Sequence, residues 1–448
     1  MQRDLAAGTA ANTPAAPAPM RPPRTEIGII GWLRHNLFSS WGNALLTIVG
    51  LYVMWRLLDG AVSWGVVNAV WSGDDGAACR VEGSGACWVF IKAKIGQFVY
   101  GRYPEAERWR VDLVFAMAIA GLAPLMVPQI PGKTWSAGFT FLVFPVVAFW
   151  LLVGSAPGPD AGVLDAAGLA LGLAGIVCLG LSRSSGARLA PQTLRLMGGL
   201  SLVVAFPLVM RWLLSTSGLV QLPAVPTELW GGLLVTLVVA SVGITGSFPV
   251  GIALALGRRS RMPFARWASV GFIEFVRGVP LITVLFMASV MLPLFLPAGV
   301  SFDKLVRALV GVALFAGAYM AETIRGGLQA IPRGQFEAGE ALGLTYPQRM
   351  GLIILPQALK LVIPGIVNSF VGLFKDTSLV LIIGLFDVLG IVQLNLTDAK
   401  WFANSTAMTG YVFAGFVFWV FCFGMSRYSQ MIERRLATGH ERGPGKAG

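Results

Sequence analysis

A chain of 448 residues that is 55% hydrophobic and only 12% charged, with a mean hydropathy of +0.71, lies far from soluble domains, in which about 25% of residues are charged. The composition is that of an all-α polytopic membrane protein. Its net charge of +12 reads as the Arg/Lys excess that holds loops on the cytoplasmic side; with no basic stripe interleaved with aromatics outside the apolar runs, it does not point to nucleic acid.

An apolar run of ~20 residues crosses a bilayer as a helix, and the basic residues orient each run. Residues 1–42 read as a disordered cytoplasmic tail: Met1 to Glu26 is rich in Ala and Pro, and no short apolar core precedes a small-residue cleavage site, so no signal peptide is expected. Asn43 to Ala61 is the first span, with Arg21, Arg24 and Arg34 inside and Arg56 snorkelling at its outer end. Residues 62–110 form a polar insertion, outside by parity, carrying both signs of charge. Within it Lys92 to Tyr100 reads as a short amphipathic helix lying on the outer surface, with a contact for a soluble partner as the alternative. Cys79 and Cys87, facing the oxidising side, either form one disulfide or stay reduced; Cys178 and Cys422 fall inside apolar runs and read as inert.

Asp112 to Val127 and Ala137 to Gly154 are the second and third spans, with a Pro/Gly turn at Ser155 to Pro159 outside. Gly162 to Leu181 and Gly198 to Leu214 are the fourth and fifth, separated by Arg183, Arg188 and Arg195 inside. The two prolines of Leu222 to Pro226 close an N-terminal extension of residues 43–228. Leu229 to Leu256 is an uncharged span that stops at Arg258, Arg259 and Arg261. Val270 to Leu296 is interrupted by Glu274, Arg277, Gly278-Val279-Pro280 and Pro293, so a broken helix is expected. Leu305 to Ile324, Ile363 to Leu385 and Tyr411 to Met425 complete ten spans, with both termini cytoplasmic and residues 436–448 a short inner tail.

Residues 331–357 stand out in this apolar chain. Arg333, Glu337, Glu340 and Arg349 cannot sit in hydrocarbon without a large desolvation cost, so the stretch must lie in water between two spans. Pro332 ends the preceding element, Glu337 to Leu344 reads as a short helix closed by Gly343, Tyr346-Pro347 starts a second, and Pro356 interrupts the next apolar run. Two short helices at an angle would make a knob.

The pattern Glu337-Ala338-Gly339, three residues, Gly343, nine residues, Ile353, one residue, Leu355-Pro356 resembles the EAA signature of ABC-importer permeases, with Gly339 replacing the third small residue. Leu229 to Leu237, Glu274 to Leu281, Ala321 to Gly327 and Lys375 to Leu379 look like successive blocks of the polar amino-acid permeases of that class, so the resemblance covers residues 229–435. It implies a five-helix type I importer core in the bacterial inner membrane. Glu337, Ala338, Gly339, Glu340, Gly343, Leu355 and Pro356 would then form coupling helices docked on a cytoplasmic ATPase dimer, which would hold the ATP and Mg that this subunit does not. A periplasmic binding protein would deliver polar or general L-amino acids, and a second homologous permease would complete the pair. The long extension is similar to that of the subgroup importing general L-amino acids or glutamate, glutamine, aspartate and asparagine, and favours a heterodimer over a homodimer.

Charges within the spans are the other candidates, since one Arg or Asp at the bilayer centre costs ~3 kcal/mol. Glu274/Arg277 and Glu322/Arg325 are each three positions apart, which puts both members on one helix face where they can pair. They either lock helices together near the inner interface or line the path, offering a carboxylate and a guanidinium to the two ends of a zwitterion. Gly278 and Pro280 break the helix, and the restart presents free N–H groups that favour a carboxylate; a plain packing kink is the other reading. Lys375, Asp376, Thr377 and Ser378 either line the lumen or pair internally. No G-x-x-x-x-G-K-[ST] stretch occurs, so ATP hydrolysis by this subunit is not expected. His35 and His440 both lie in tails, leaving no candidates for a metal site or a Ser-His pair. An ion-coupled secondary transporter would need a paired inverted repeat with two broken helices, and only one is evident. A membrane enzyme with its site in 62–110 would have no histidine there and too small a core.

Overall fold

The computed structural model describes residues 32–437 apart from Arg34, Pro128, 155–160, 183–190, 217–221 and 296–301. The expected tails, the Ser155 to Pro159 turn and the loop with Arg183 and Arg188 lie outside the described residues. The structure is helical almost throughout. Among the described residues seven helices are long and apolar enough to cross a membrane, and one pair, Pro263–Gly278 with Leu281–Phe295, passes the same test only as two helices taken together, bent at a break. The other two expected spans are present as helices, α5 (Ala161–Leu181) and α6 (Pro191–Thr216). They form a hairpin in which Gly168 lies against Leu208 and Gly175 against Leu202, and the Ser201 hydroxyl donates to the Leu171 carbonyl at 2.5 Å. The described apolar part of α5, Gly168–Leu181, is too short to pass the same length test.

Two compact units make up the described chain, residues 32–70 with 82–86 and the remainder. In the first, α1 (Trp41–Val62) begins at Ser40, whose hydroxyl accepts the Asn43 N–H, and none of its residues is buried. Such a helix is held by lipid rather than by a core, as expected of a span that is hydrophobic on all sides. Val70 and Ala86 close the unit with backbone bonds at 2.8 Å, Val70 N–H to Ala86 and Ala86 N–H to Trp64.

The second unit begins with α2 (Trp88–Tyr100), α3 (Arg108–Met126) and α4 (Lys133–Val153). The Lys92 to Tyr100 segment is not the bare surface helix expected. It is the end of α2, which buries Phe90 and Phe98 completely or nearly so against Trp401 and Phe413. Of its two lysines, Lys94 pairs with Asp398 at 3.0 Å and Lys92 is exposed. Gly101 at φ +67° and Gly232 at φ +61° allow α2 to abut the start of α7 (Gly232–Arg258), where a Cβ on Gly232 would lie 2.2 Å from the Phe98 carbonyl. Cys79 and Cys87 form a disulfide with Cα atoms 5.7 Å apart.

After α7 come α8 (Pro263–Gly278) and α9 (Leu281–Phe286), then α10 (Lys304–Ala330), α11 (Arg333–Ala341), α12 (Tyr346–Arg349), α13 (Leu355–Asp376), α14 (Val388–Leu396) and α15 (Asn404–Ala437). Asp303 caps α10 by accepting the Leu305 N–H at 2.8 Å, and its other oxygen accepts the Thr227 hydroxyl at 2.5 Å, tying the linker to that end of the core. Pro356 does not interrupt its helix. Met350–Ile354 forms a π-turn that widens the ladder just before Pro356, a residue with no N–H to lose, so Tyr346–Ile383 runs as one 38-residue span. Two apolar clusters lie within the described core. One surrounds Leu234, Leu285, Val312 and Val380; the other, at the end bearing the 331–345 loop, surrounds Ile273, Ile324, Ile354 and Ala358.

Candidate functional site

The charged loop folds as two arms. Helix α11 ends in a Schellman motif: Gly343 adopts φ +72° and its N–H donates to the Glu340 carbonyl at 2.9 Å, while the Leu344 N–H donates to the Gly339 carbonyl at 3.2 Å. Thr345 then starts α12, its N–H donating to the Gln348 side chain at 3.0 Å. Arg349 joins the arms. It forms an ion pair with Glu340, donates to the Phe336 carbonyl at 3.4 Å and stacks over Tyr346. Gly339 is buried beneath it, and a Cβ there would meet the Arg349 Cγ and Cδ at 2.9 Å. Glu337, Ala338, Glu340 and Gly343 are exposed, Leu355 is half-buried and Pro356 exposed. Leu342, 73% exposed at the apex, is an apolar side chain that charge-based reading passes over. Beside the loop lies a hollow of about 440 Å³, lined by Arg259, Arg333, Glu337 and Glu340 among others. The helix leading in is braced there, because Arg259 donates to the Leu328 carbonyl at 3.2 Å and lies over the Phe336 ring.

The membrane charges do not pair as two separate couples. Glu322 is the centre of a node: it accepts from Arg258 at 2.8 Å and from Arg325 at 2.7 Å, and Arg277 lies 3.8 Å away. Glu274 turns to Arg258 at 3.1 Å rather than to Arg277. The node joins the ends of α7, α8 and α10. Arg258, read in the sequence only as an orientation marker, supplies the cation that links both carboxylates.

The break at Gly278-Val279-Pro280 bends the chain by 107° and opens a cavity of about 590 Å³, within the ~300–1,000 Å³ typical of small-molecule sites. Arg277, Gly278, Pro280 and Asp376 line it, together with Ser247, Tyr319 and Ser369. Arg277 is shared between this wall and the node, with its guanidinium 5.6 Å from the Tyr319 ring centroid. The remaining polar candidates do not line it. Lys375 is exposed on a different face of α13 from Asp376, and the Thr377 and Ser378 hydroxyls donate to Phe374 and Lys375 carbonyls of their own helix at 2.8 and 3.0 Å. Ser247, Tyr319 and Ser369 carry no distinguishing sequence signal, because lone hydroxyls in apolar helices are common and bond their own backbone. The chemistry available is therefore a half-open chamber offering one cation, one carboxyl group, hydroxyls and the backbone of a helix break.

Residues 247–438 match the family described as binding-protein-dependent transport system inner membrane component. The chain is 46% identical over 91% of its length to the inner membrane amino-acid ABC transporter permease protein YhdY of Escherichia coli, covering 93% of that protein. It is 43% identical over 94% of its length to the glutamate/glutamine/aspartate/asparagine transport system permease protein BztC of Rhodobacter capsulatus, covering 97% of it. An amino acid ABC transporter crystal structure is similar at 28% identity over 46% of this chain and 92% of that one, with a TM-score of 0.40. With spans, bent pair and loop in place, and with relatives matched end to end, this chain belongs to the family of ABC transporter permeases, the inner-membrane components of binding-protein-dependent transport systems.

Proposed function

We propose that this subunit moves polar or general L-amino acids into the cytoplasm, driven by ATP hydrolysed with Mg on a separate cytoplasmic ATPase dimer. A periplasmic binding protein delivers the substrate, a second homologous permease completes the pathway as a heterodimer, and both termini face the cytoplasm. The observation that carries the substrate class is the presence of Arg277 and Asp376 in the wall of one cavity at a helix break. An α-amino acid presents a carboxylate and an ammonium together, and a chamber with both signs matches it where a single-sign ring would repel one end. The names of the relatives, amino-acid transport throughout, support the same class.

The transmission runs through the 331–357 loop. A short helix seated in a socket on the ATPase transmits a rigid-body displacement, and α11 is joined by the two-residue link Ile331-Pro332 to α10, which carries Glu322 of the node. The test is substrate-stimulated ATP hydrolysis by the reconstituted complex across a panel of amino acids, comparing wild type with Glu337→Ala, Gly343→Asp and Arg277→Gln. The loop variants should lose stimulation by every substrate while the complex still assembles. Arg277→Gln should weaken stimulation and uptake while leaving assembly and the unstimulated rate unchanged. Stimulation that survives both loop substitutions would overturn the coupling assignment.

A further inference from the structure

Helix α8 runs crosswise to the span that follows it, turning through 107° into Leu281–Phe295. It passes over the loop-bearing end of α7, where a Cβ on Gly257 would lie 2.2 Å from the Ser269 hydroxyl and Arg258 meets Glu274 at 3.1 Å. At 3.6 residues per turn its side chains sort into three sectors rather than two. Ser269, Ile273 and Val276 face protein, with Ile273 and Val276 buried. Arg266, Glu274 and Arg277 form a polar sector. Phe264, Trp267 and Phe275 form a third, 86%, 80% and 61% exposed, and a Cβ on Gly271 or Gly278 along the same line would meet nothing within 4 Å.

A helix packed on a water-facing surface needs one apolar sector; a second one carrying Phe and Trp needs a second apolar medium. Its crosswise axis means that this medium is met from the side, as in helices that lie in the interface plane with aromatics in the acyl boundary and arginines among headgroups. The side chains of Arg261 and Arg266 are exposed and make no ion pair or hydrogen bond among the described residues, whereas those of neighbouring Arg258 and Arg259 are both engaged. We infer that α8 lies in the headgroup layer of the leaflet on the side of the coupling loop, and that Arg261 and Arg266 bind anionic phospholipid headgroups there. The inference rests on the reading above only in making that leaflet the cytoplasmic one. Because the same helix ends in Arg277 and the cavity's Gly278 wall, its seating in the leaflet also fixes one side of the chamber.

The full chain would be placed in bilayers of phosphatidylcholine and phosphatidylglycerol in equal parts, and the lipids that remain bound to it counted by mass spectrometry. Phosphatidylglycerol should be enriched in the wild type, and Arg261→Gln with Arg266→Gln should reduce that enrichment by about fivefold per charge removed. A nitroxide on Phe264→Cys, with Cys178→Ser and Cys422→Ser, should be reached by oxygen at headgroup depth. Unchanged enrichment in the double variant would overturn the lipid assignment. So would a label shielded from both oxygen and a water-soluble nickel reagent, which would mean that a second permease covers this face, or one reached by nickel alone. None of these readouts uses ATP or transport, so failure of coupling in the loop variants leaves them untouched, and their failure leaves coupling standing.

Discussion

At Gly339 the departure from the family's signature has a local cause. A Cβ there would press on the middle of the Arg349 side chain, at 2.9 Å from both Cγ and Cδ, and that side chain is pinned at its far end by Glu340 and the Phe336 carbonyl. Gly339→Ala gains about 1 kcal/mol of helix propensity but displaces the tie between the two arms. Stability should therefore change little while substrate-stimulated ATP hydrolysis falls. Adding Arg349→Ala to Gly339→Ala should cost less than the sum of the two single effects, which a double-mutant cycle reads directly. Asp387 makes a different prediction. It is fully buried, one carboxyl oxygen accepts the Gly390 N–H at 2.8 Å, and the other has no partner among the described residues. Burial pushes its carboxyl up to about 6, so the folded chain holds the proton more tightly than the unfolded one, whose carboxyl titrates near ~3.9. Stability should fall as pH rises between about 4 and about 6, by on the order of 2–3 kcal/mol. Asp387→Asn should flatten that stretch of the unfolding profile.

Among the elements, those defined by hydropathy were legible in the sequence and those defined by partners were not. Leu229 to Leu256 and Leu305 to Ile324 announce themselves because lipid imposes length and apolarity, and the break at Gly278-Pro280 follows from proline chemistry. Pro356 misled for the same reason: the rule that proline ends a helix assumes an α-ladder, and the π-turn at Met350–Ile354 removes the conflict. Helix α2 looked like a surface helix because Lys92 and Lys94 mark its polar side, while its docking depends on Trp401 and Phe413, about 300 positions away. Its anchorage is specific at both ends of the disulfide: the Cys87 N–H donates to the Thr409 hydroxyl at 2.8 Å and the Ser405 hydroxyl donates to the Cys79 carbonyl at 3.0 Å. Closing so short a loop stabilises the fold by about 2–3 kcal/mol in the chain-entropy account. Replacing both cysteines by serine should lower the melting temperature without changing the coupling phenotype of the loop variants. Reductant should leave the native chain bonded, because both cysteines are buried, and in a chain with Cys178→Ser and Cys422→Ser thiol labelling should appear only above the melting transition.

In the second unit, α10 joins the loop to the node, and Arg277 is common to the node and the cavity. Helix α11 follows α10 after the two residues Ile331-Pro332, α10 places Glu322 among three arginines, and one of those, Arg277, is also part of the cavity wall. The loop has two routes to the chamber, α10 by way of the node and the continuous Tyr346–Ile383 span, which carries Ser369 and Asp376 of the cavity wall. The two carboxylates of the node are unequal carriers of load on the first route. Glu322 is 15% exposed and holds three cations from three helices, whereas Glu274 is 57% exposed and holds Arg258 alone. Breaking a fully buried ion pair costs about 3–5 kcal/mol because the remaining charge is stranded, while an exposed pair is worth about 0–1 kcal/mol; Glu322, whose arginine partners are 25–37% exposed, falls between the two and above Glu274. Glu322→Gln should thus release Arg277 from the node and abolish the response of ATP hydrolysis to substrate in an assembled complex whose coupling loop is intact. Glu274→Gln should change that response by less than about fivefold, the equivalent of 1 kcal/mol. Measuring the stimulated and unstimulated rates of both variants side by side separates a load-carrying node from a mere interfacial clasp: equal responses in the two would remove Glu322 from the transmission and leave the continuous Tyr346–Ile383 span as the connection between loop and cavity.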